Sequence, residues 1–221
     1  MAFQSENNLV SCFKDKLNSV FSLLSEPIVL EEVKLGFGIA DLVISDRIDD
    51  QLKVEDDFLT SVDISIYRVI EKRKKVTLDL ISDQTKCNKG QLVKSLNKLI
   101  RRALIQQVDV YFILSSKYEL AYSESIAIEA KLKNWKRALM QAYRYKWFAD
   151  YSYVVLDHAH VKPALQNIEL FKKYNIGLIS ISSDGFYMRH NTPRKEKPID
   201  KRMQILLSET VLLNEIVCTE S

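Results

Sequence analysis

The stretch SIAIEAKLKNWKRALMQAYRYKWF, residues 125–148, decides the predicted fold. Apolar and polar residues alternate through Leu132, which predicts a β-strand, and the remainder predicts a helix. Residues i and i+2 of a strand face the same side, so Glu129 and Lys131 emerge side by side while the residues between and before them face a core. A carboxylate that can hold a divalent cation, next to an amine that can meet a scissile phosphate, points to phosphodiester hydrolysis.

The segments on either side of this stretch predict an α/β fold. Apolar side chains at helical spacing open the chain, and two strand-like segments joined by a glycine-containing turn follow them. After the stretch, strand and helix patterns alternate, so the whole order predicts a mixed sheet flanked by helices. The predicted elements outside the stretch are a helix at 7–25, strands at 28–35 and 38–45, a strand at 151–157, a helix at 163–174, a strand at 176–182 and a last helix near 199–216.

Residues 46–116 interrupt this order and predict a separate module, because about seventy residues are too many for a bare loop. Helical patterns at 64–75, 77–85 and 88–103 precede a β-like segment at 104–114. A helix at Thr77–Thr85, a tight turn at Lys86–Asn88, a helix at Asn88–Ala103 and a β-ribbon together resemble a winged helix-turn-helix domain. The predicted division is therefore a core formed by 1–55 and 117–221, with an inserted α+β winged-helix domain at 56–116.

The resemblance to winged-helix domains implies that the second helix of the pair enters the major groove of DNA. Residues 1–55 have a net charge of −5, whereas 56–116 and 117–221 each have +4, so the middle and the end of the chain suit a polyanion. The alternative is that the module mediates protein contacts and that its lysines form a solvated face. The candidate DNA-binding residues on this helix are Asn88, Lys89, Gln91, Lys94, Ser95 and Lys98.

Asp41 interrupts an otherwise apolar strand pattern at 38–46. Burying a lone carboxylate is costly unless a cation or a metal compensates its charge. If this strand pairs with the strand at 125–133, Asp41 approaches Glu129 and Lys131. The sequence therefore predicts that two acids and one lysine form a single site.

An Asp followed by Glu-x-Lys on adjacent strands, after an N-terminal helix, closely resembles the PD-(D/E)XK nuclease superfamily, whose fold is called restriction-endonuclease-like. On the following helix, Gln141 and Tyr145 fit the Q-x₃-Y pattern of the RecB-like branch of that superfamily. The chain departs from the family's name in having Ala40 where the proline stands. The resemblance covers residues 7–45 and 117–182.

The resemblance implies a Mg²⁺ (or Mn²⁺) ion bound by Asp41, Glu129 and the backbone carbonyl of Ala130. Lys131 would orient or help deprotonate the attacking water, or stabilise the charge of the pentavalent phosphorus. Gln141 would hydrogen-bond near the lysine or the scissile phosphate. The implied roles of the remaining residues are support of the site or contact with the DNA backbone for Tyr145, and an outer metal ligand for whichever of Glu31 and Glu32 faces the site.

The function expected is that of a Mg²⁺-dependent (endo)deoxyribonuclease in which the inserted domain contributes DNA binding, and no feature of the sequence distinguishes an endonuclease from an exonuclease. The alternative is a catalytically inactive protein of the nuclease fold that acts as a DNA-binding or assembly factor, and a homodimer or a partner protein is compatible with either. Three widely separated cysteines argue against a zinc site or a disulfide framework. The chain has no apolar run of about 18 residues and no signal-peptide pattern at its start, so we expect a cytoplasmic protein that does not contact membranes.

Several residues also have plain structural interpretations. Glu129 and Lys131 would form an ordinary strand-face ion pair, and Gln141 and Tyr145 would pack a helix. His158 and His160 follow a buried strand without a third ligand at a recognisable spacing, which argues against a metal site. The basic residues of the loop at 189–198 either contact phosphates or are solvated, and they are Arg189, Arg194, Lys195 and Lys197.

Overall fold

The computed structural model describes residues 2–21, 27–36, 38–47 and 57–219. The chain begins with α1 (Glu6–Lys14), α2 (Leu17–Val20), β1 (Ile28–Lys34) and β2 (Ile39–Arg47). It continues with α3 (Ser61–Arg73), β3 (Lys75–Thr77), α4 (Leu78–Thr85), α5 (Lys89–Arg101), β4 (Ile105–Val108) and β5 (Tyr111–Leu114). The remaining elements are β6 (Tyr122–Lys131), α6 (Trp135–Tyr145), β7 (Tyr151–Asp157), α7 (Lys162–Leu165), α8 (Ile168–Tyr174), β8 (Gly177–Ile181), β9 (Tyr187–Asn191) and α9 (Lys201–Thr219).

The chain divides into two compact units. The first comprises residues 1–48 and 122–201, and the second comprises 49–121 and 202–221. In the described part of the first unit, six strands form one sheet in the order β1-β2-β6-β7-β8-β9. β6, β7 and β8 are parallel to one another, and the other pairs are antiparallel. The predicted mixed sheet flanked by helices is confirmed.

Strand alternation gives the sheet two different faces. Leu42, Ile44 and Ile128 pack in one core cluster with Leu9 and Phe13 of α1. Because neighbouring residues of a strand point to opposite faces, the odd-numbered residues of β2 and β6 face the other side, where α6 packs on β6 and β7. Helix α6 is amphipathic, and the side that it buries there is formed by Trp135, Ala138, Leu139, Ala142 and Tyr145.

The register of β2 and β6 positions the predicted acids. Leu42 pairs with Ile128 and Val43 with Ala127 in antiparallel alignment. Continuing that register by one residue places Asp41 opposite Glu129, on the face that α6 covers. Adjacent strands lie about 4.8 Å apart, so this register alone brings the two carboxylates within reach of each other.

The described part of the second unit combines helices α3, α4 and α5 with a sheet of order β3-β5-β4. Local sequence sets its helix starts, because Thr60 and Asp63 form a capping box at α3, and Thr77 caps α4. The apolar stripes of the helices meet in a core of their own with Tyr67 and Phe112. The β-like segment predicted at 104–114 is a hairpin, β4 and β5.

The boundaries of the units differ from the predicted division. The second unit extends to residue 121 and includes residues from 202 onward, whereas the prediction assigned 117–221 to the core. The physical reason is that Ile205 of α9 is buried in the second unit's core, and Glu209 accepts two hydrogen bonds from Arg102 at 2.8 and 2.9 Å. The predicted boundary at 55/56 lies outside the described residues, as does the end of the helix predicted at 7–25.

Candidate active site

The structure brings the two predicted acids and the predicted lysine together at the C-terminal end of β6. Asp41 accepts a hydrogen bond through Oδ2 from the backbone N–H of Ala130 at 2.7 Å. The Lys131 ammonium nitrogen lies 2.9 Å from Oε1 of Glu129 and 3.9 Å from Oδ2 of Asp41. Glu129 is wholly buried, whereas Asp41 and Lys131 are partly exposed, so one side of the group is open to solvent.

These groups fit a divalent cation. The oxygens assigned to a metal by resemblance are two carboxylates and the Ala130 carbonyl, and all lie within 3.9 Å of the Lys131 nitrogen. They are hard donors of the kind that Mg²⁺ and Mn²⁺ take. Oε1 of Glu129 accepts no well-aligned hydrogen bond from the described residues, although the Lys131 ammonium is close, so it retains a lone pair for a cation.

The protein supplies only part of a metal's coordination shell. Within the described ranges, no three Asp, Glu, His or Cys side chains are grouped closely enough to hold a metal by themselves. The predicted set contains two such side chains, Asp41 and Glu129, and would be completed by a carbonyl together with solvent or substrate oxygens. Mg²⁺ in phosphate-processing sites is commonly held in this way, by one or two carboxylates.

The electrostatics show an excess of negative charge. Burial raises the pKa of Glu129, and the Asp41 charge adds to the effect despite the hydrogen bond from Tyr145. Burial likewise raises the pKa of Asp41 against the opposing effects of the Ala130 N–H and Lys131. Burial alone would lower the pKa of Lys131, but the close carboxylates of Glu129 and Glu6 outweigh it and raise the pKa. A cation bound here would compensate the excess charge.

Tyr145 supports Glu129 and is not exposed to a ligand. Its side chain is 1% exposed, and its hydroxyl donates to Oε2 of Glu129 and lies 2.6 Å from the carbonyl oxygen of Ile39. Burial and the Glu129 charge raise the pKa of Tyr145, so the hydroxyl keeps its proton. The expectation that Tyr145 contacts the DNA backbone is therefore corrected, because its ring is buried where α6 covers β2 and β6.

Gln141 lies one helical turn before Tyr145, on the same side of α6. Its Oε1 atom is buried and accepts no hydrogen bond from the part of the chain that the structure describes. The structure does not join Gln141 to Lys131 by a hydrogen bond between described residues. A buried amide oxygen that accepts no hydrogen bond is unusual, and it is suited to accepting one from a ligand or a water molecule.

Two further acids, Glu6 and Glu32, interact with the site, and the sequence left their roles open or missed them. Glu31 is ion-paired with Lys14, whereas Glu32 lies between the β1 residues that pair with Leu42 and Ala40, and its charge raises the pKa of Asp41. Glu6 pairs with Lys131 at 3.0 Å. Nothing in the sequence distinguished Glu6, because an acid in the first turn of a helix is ordinary.

The predicted DNA-binding residues on α5 separate into exposed and internally committed side chains. Lys89, Gln91 and Lys94 are exposed, and Asn88 uses its Oδ1 atom to cap the helix by accepting the Gln91 N–H at 2.9 Å. Ser95 is buried, so it cannot reach a groove of DNA.

Lys98 requires a correction. Its ammonium donates to the Phe58 carbonyl at 2.8 Å and lies 3.2 Å from both Asp57 and Asp63. A lysine that already neutralises two carboxylates of its own unit does not have its charge available for a phosphate.

The histidines and the basic loop take other roles in the first unit. Ser180 is buried between His158 and His190, with its Oγ atom 2.9 Å from His158 Nδ1 and 2.8 Å from His190 Nε2. Arg189 donates to the Val20 carbonyl, so it anchors the chain and is not a phosphate ligand.

Comparison of the chain with family models, with curated proteins and with solved structures finds no match. No helix among the described residues is long and apolar enough to cross a membrane.

Proposed function

We propose that the protein is a metal-dependent DNA nuclease with a restriction-endonuclease-like core. The observation that carries the proposal is the convergence of Asp41, Glu129 and the Ala130 carbonyl on the Lys131 ammonium, all within 3.9 Å. The order of elements around them, a helix, a hairpin and then a strand–helix–strand unit, is the order expected for that fold. An ordinary surface ion pair would not require a wholly buried carboxylate.

In this proposal Asp41, Glu129 and the Ala130 carbonyl would hold Mg²⁺ or Mn²⁺, and such a cation would supply Lewis-acid activation of the phosphate and of the attacking water. Lys131 contributes positive charge where the pentavalent phosphorus develops negative charge. The carboxylates of Glu129 and Glu6 raise the pKa of Lys131, so in the metal-free chain the amine carries the positive charge that this role requires.

The groups around the site would hold these residues in place. Tyr145 fixes one oxygen of Glu129 by donating its hydroxyl hydrogen, which leaves Oε1 facing the Lys131 ammonium. Gln141 presents a buried amide oxygen that would accept a hydrogen bond from a water molecule. Glu6 holds Lys131 in the absence of substrate and would be displaced by a phosphate.

The second unit supports DNA as the substrate. Its order, α3, β3, α4, α5 and then the hairpin β4–β5, is the order of a winged helix-turn-helix domain. In that interpretation α5 enters the major groove, with Lys89, Gln91 and Lys94 as the exposed side chains available for contacts.

A second candidate function for this unit is protein binding. A groove of about 380 Å³ lies between α5 and the β4–β5 hairpin, and its apolar residues Val93, Ile100 and Val110 are exposed. Exposed apolar side chains next to a groove are more typical of protein interfaces than of phosphate-binding surfaces. In this interpretation the protein would act with a partner, whether or not the core cuts DNA.

Cleavage of plasmid and linear DNA in Mg²⁺ or Mn²⁺ tests the proposal, with Lys131→Ala as the disabling variant and Lys133→Ala as the control. Lys133 is exposed and lies two residues further along the chain, so its loss removes the same charge without touching the site. We expect metal-dependent cutting that Lys131→Ala abolishes and Lys133→Ala preserves. Absence of cutting, or equal cutting by both variants, would reject the proposal, and salt-dependent DNA binding without cutting would favour the inactive alternative.

A further inference from the structure

A polar cavity of about 480 Å³ lies at the opposite end of the parallel strands from Lys131. It is next to the start of β8 and the end of β9, whereas Lys131 pairs with Leu156 near the end of β7. Its volume is within the range of small-ligand sites, about 300–1,000 Å³. The side chains that line it are all polar: Lys172, Asn175, Asn191, Thr192, Arg194 and Glu196.

Side-chain amides already satisfy the backbone acceptors beside this cavity. Asn175 donates through Nδ2 to the Arg194 carbonyl at 2.9 Å and accepts the Arg194 N–H through Oδ1 at 2.8 Å. Asn191 donates through Nδ2 to the Ile176 carbonyl at 2.7 Å. The two hydrogen bonds of Asn175 also fix the position of the Arg194 backbone in the cavity wall.

The charges that remain are positive. The carboxylate of Glu196 is compensated by Lys146, whose nitrogen lies 2.6 Å away. Lys172 pairs with Glu169 of the same helix, but both side chains are more than half exposed, so water screens this pair and a phosphate can compete with Glu169 for the lysine. The Arg194 guanidinium has no side-chain partner among the residues that the structure describes. Because Arg194 has no compensating carboxylate among the described residues and Lys172 has only an exposed partner, the cavity is suited to an anion.

We propose that this cavity binds a phosphate group through Arg194 and Lys172. A guanidinium offers two parallel N–H donors that match two phosphate oxygens, and a lysine adds a point charge. The Thr192 hydroxyl, which also lines the cavity, would supply a third donor. The phosphate belongs either to a small nucleotide or to DNA backbone, and both sources present the same chemistry to these residues.

Calorimetric titration of the full chain with inorganic phosphate and with deoxyadenosine monophosphate tests the small-ligand source. The variants are Arg194→Gln and Lys172→Gln, and the control is Lys173→Gln, an exposed neighbour outside the lining. We expect Arg194→Gln to weaken binding about tenfold and Lys172→Gln about threefold to tenfold, because each removes a charge-assisted hydrogen bond. Lys173→Gln should leave the affinity within about twofold of the parent chain.

Fluorescence anisotropy with a labelled duplex in EDTA tests the DNA source. If the cavity holds a backbone phosphate, Arg194→Gln lowers the slope of log affinity against log salt by about 1. The proposal is overturned if neither small ligand saturates by about 10 mM, where a millimolar site would be filled, and Arg194→Gln also leaves DNA binding unchanged. Equal losses in Lys172→Gln and Lys173→Gln would likewise overturn it. Neither experiment requires DNA cleavage, so a failure of the phosphate-binding proposal can be distinguished from a failure of the nuclease proposal.

Discussion

Asp41→Asn should leave the metal-free chain at least as stable as the parent and should reduce the stabilisation that a divalent metal gives. In the metal-free chain, Asparagine can still accept the Ala130 N–H through its amide oxygen, so the hydrogen bond at 2.7 Å is kept. The ion pair that is lost is the longest one to Lys131, at 3.9 Å, and such a partly exposed pair contributes about 0–1 kcal/mol. Lys131 retains its ion pairs with Glu129 and Glu6, and the substitution removes one negative charge from a site that has an excess of them. We therefore expect the free energy of unfolding to stay equal or to rise by up to about 1 kcal/mol.

With Mg²⁺ we expect the parent chain to gain more stability than the variant. At a free metal concentration tenfold above its dissociation constant, binding stabilises the parent chain by about 1.4 kcal/mol, or about 3–5 °C in Tm for a chain of this length. Asp41→Asn should gain less than about 0.5 kcal/mol, because one of the two carboxylate ligands is gone.

Urea and thermal unfolding in EDTA and in Mg²⁺ measure both effects, and Asp15→Asn is the control because Asp15 is an exposed carboxylate of the same unit. The reasoning is refuted if Asp41→Asn loses more than about 1 kcal/mol without metal, since Asp41 would then be a structural ion-pair partner. Equal stabilisation of the parent and Asp41→Asn by Mg²⁺ would refute the metal site.

Three further predictions concern other parts of the molecule. Glu209→Ala should lower the free energy of unfolding by about 3–5 kcal/mol in urea, because it leaves buried donors without their acceptor, and a loss below about 1 kcal/mol would contradict the importance of that network. Lys94→Gln should lower the slope of log DNA affinity against log salt concentration by about 1. Lys98→Gln should instead reduce the free energy of unfolding, because Lys98 pairs with Asp57 and Asp63. Similar losses of DNA binding in both variants would show that Lys98 reaches DNA. Burial, and then the His158 charge, lower the pKa of His190 below its ordinary 6.5. The native state therefore binds fewer protons than the unfolded chain, so the contribution of His190 to stability is present above pH 6.5 and is lost as pH falls through its lowered pKa. His190→Gln should reduce the change in the urea unfolding midpoint between about pH 7 and pH 5. The same pH dependence in the variant and the parent chain would argue against this role of His190.

Local patterns were sufficient to predict the mixed sheet and the placement of its acids. Glu129 and Lys131 share a face because strand alternation is a property of the backbone itself. The proximity of Asp41 to them followed from pairing two strands, and the structure has that pairing. The parallel strand β7 was recognisable as buried because its residues are almost continuously apolar.

The residues that sequence reasoning misplaced depend on contacts made far along the chain. Lys98 looked like part of a free basic face, but Asp57 and Asp63 approach it from outside its own helix. Tyr145 was as consistent with a surface as with a core position until the packing of α6 was known. The sequence of α9 gives no indication that Glu209 accepts hydrogen bonds from Arg102, which is 107 residues earlier.

The position of α9 has a consequence for folding during synthesis. Most of the second unit, residues 49–121, is made before β6 to β9, yet its core contains Ile205. Domains generally fold as units while the chain emerges, and N-terminal parts usually finish first. Here the second unit cannot finish until residues beyond 202 have been translated. A chain released after about residue 200 would contain every strand of the six-stranded sheet but would lack Ile205, so the second unit would be the part most exposed to proteases and chaperones.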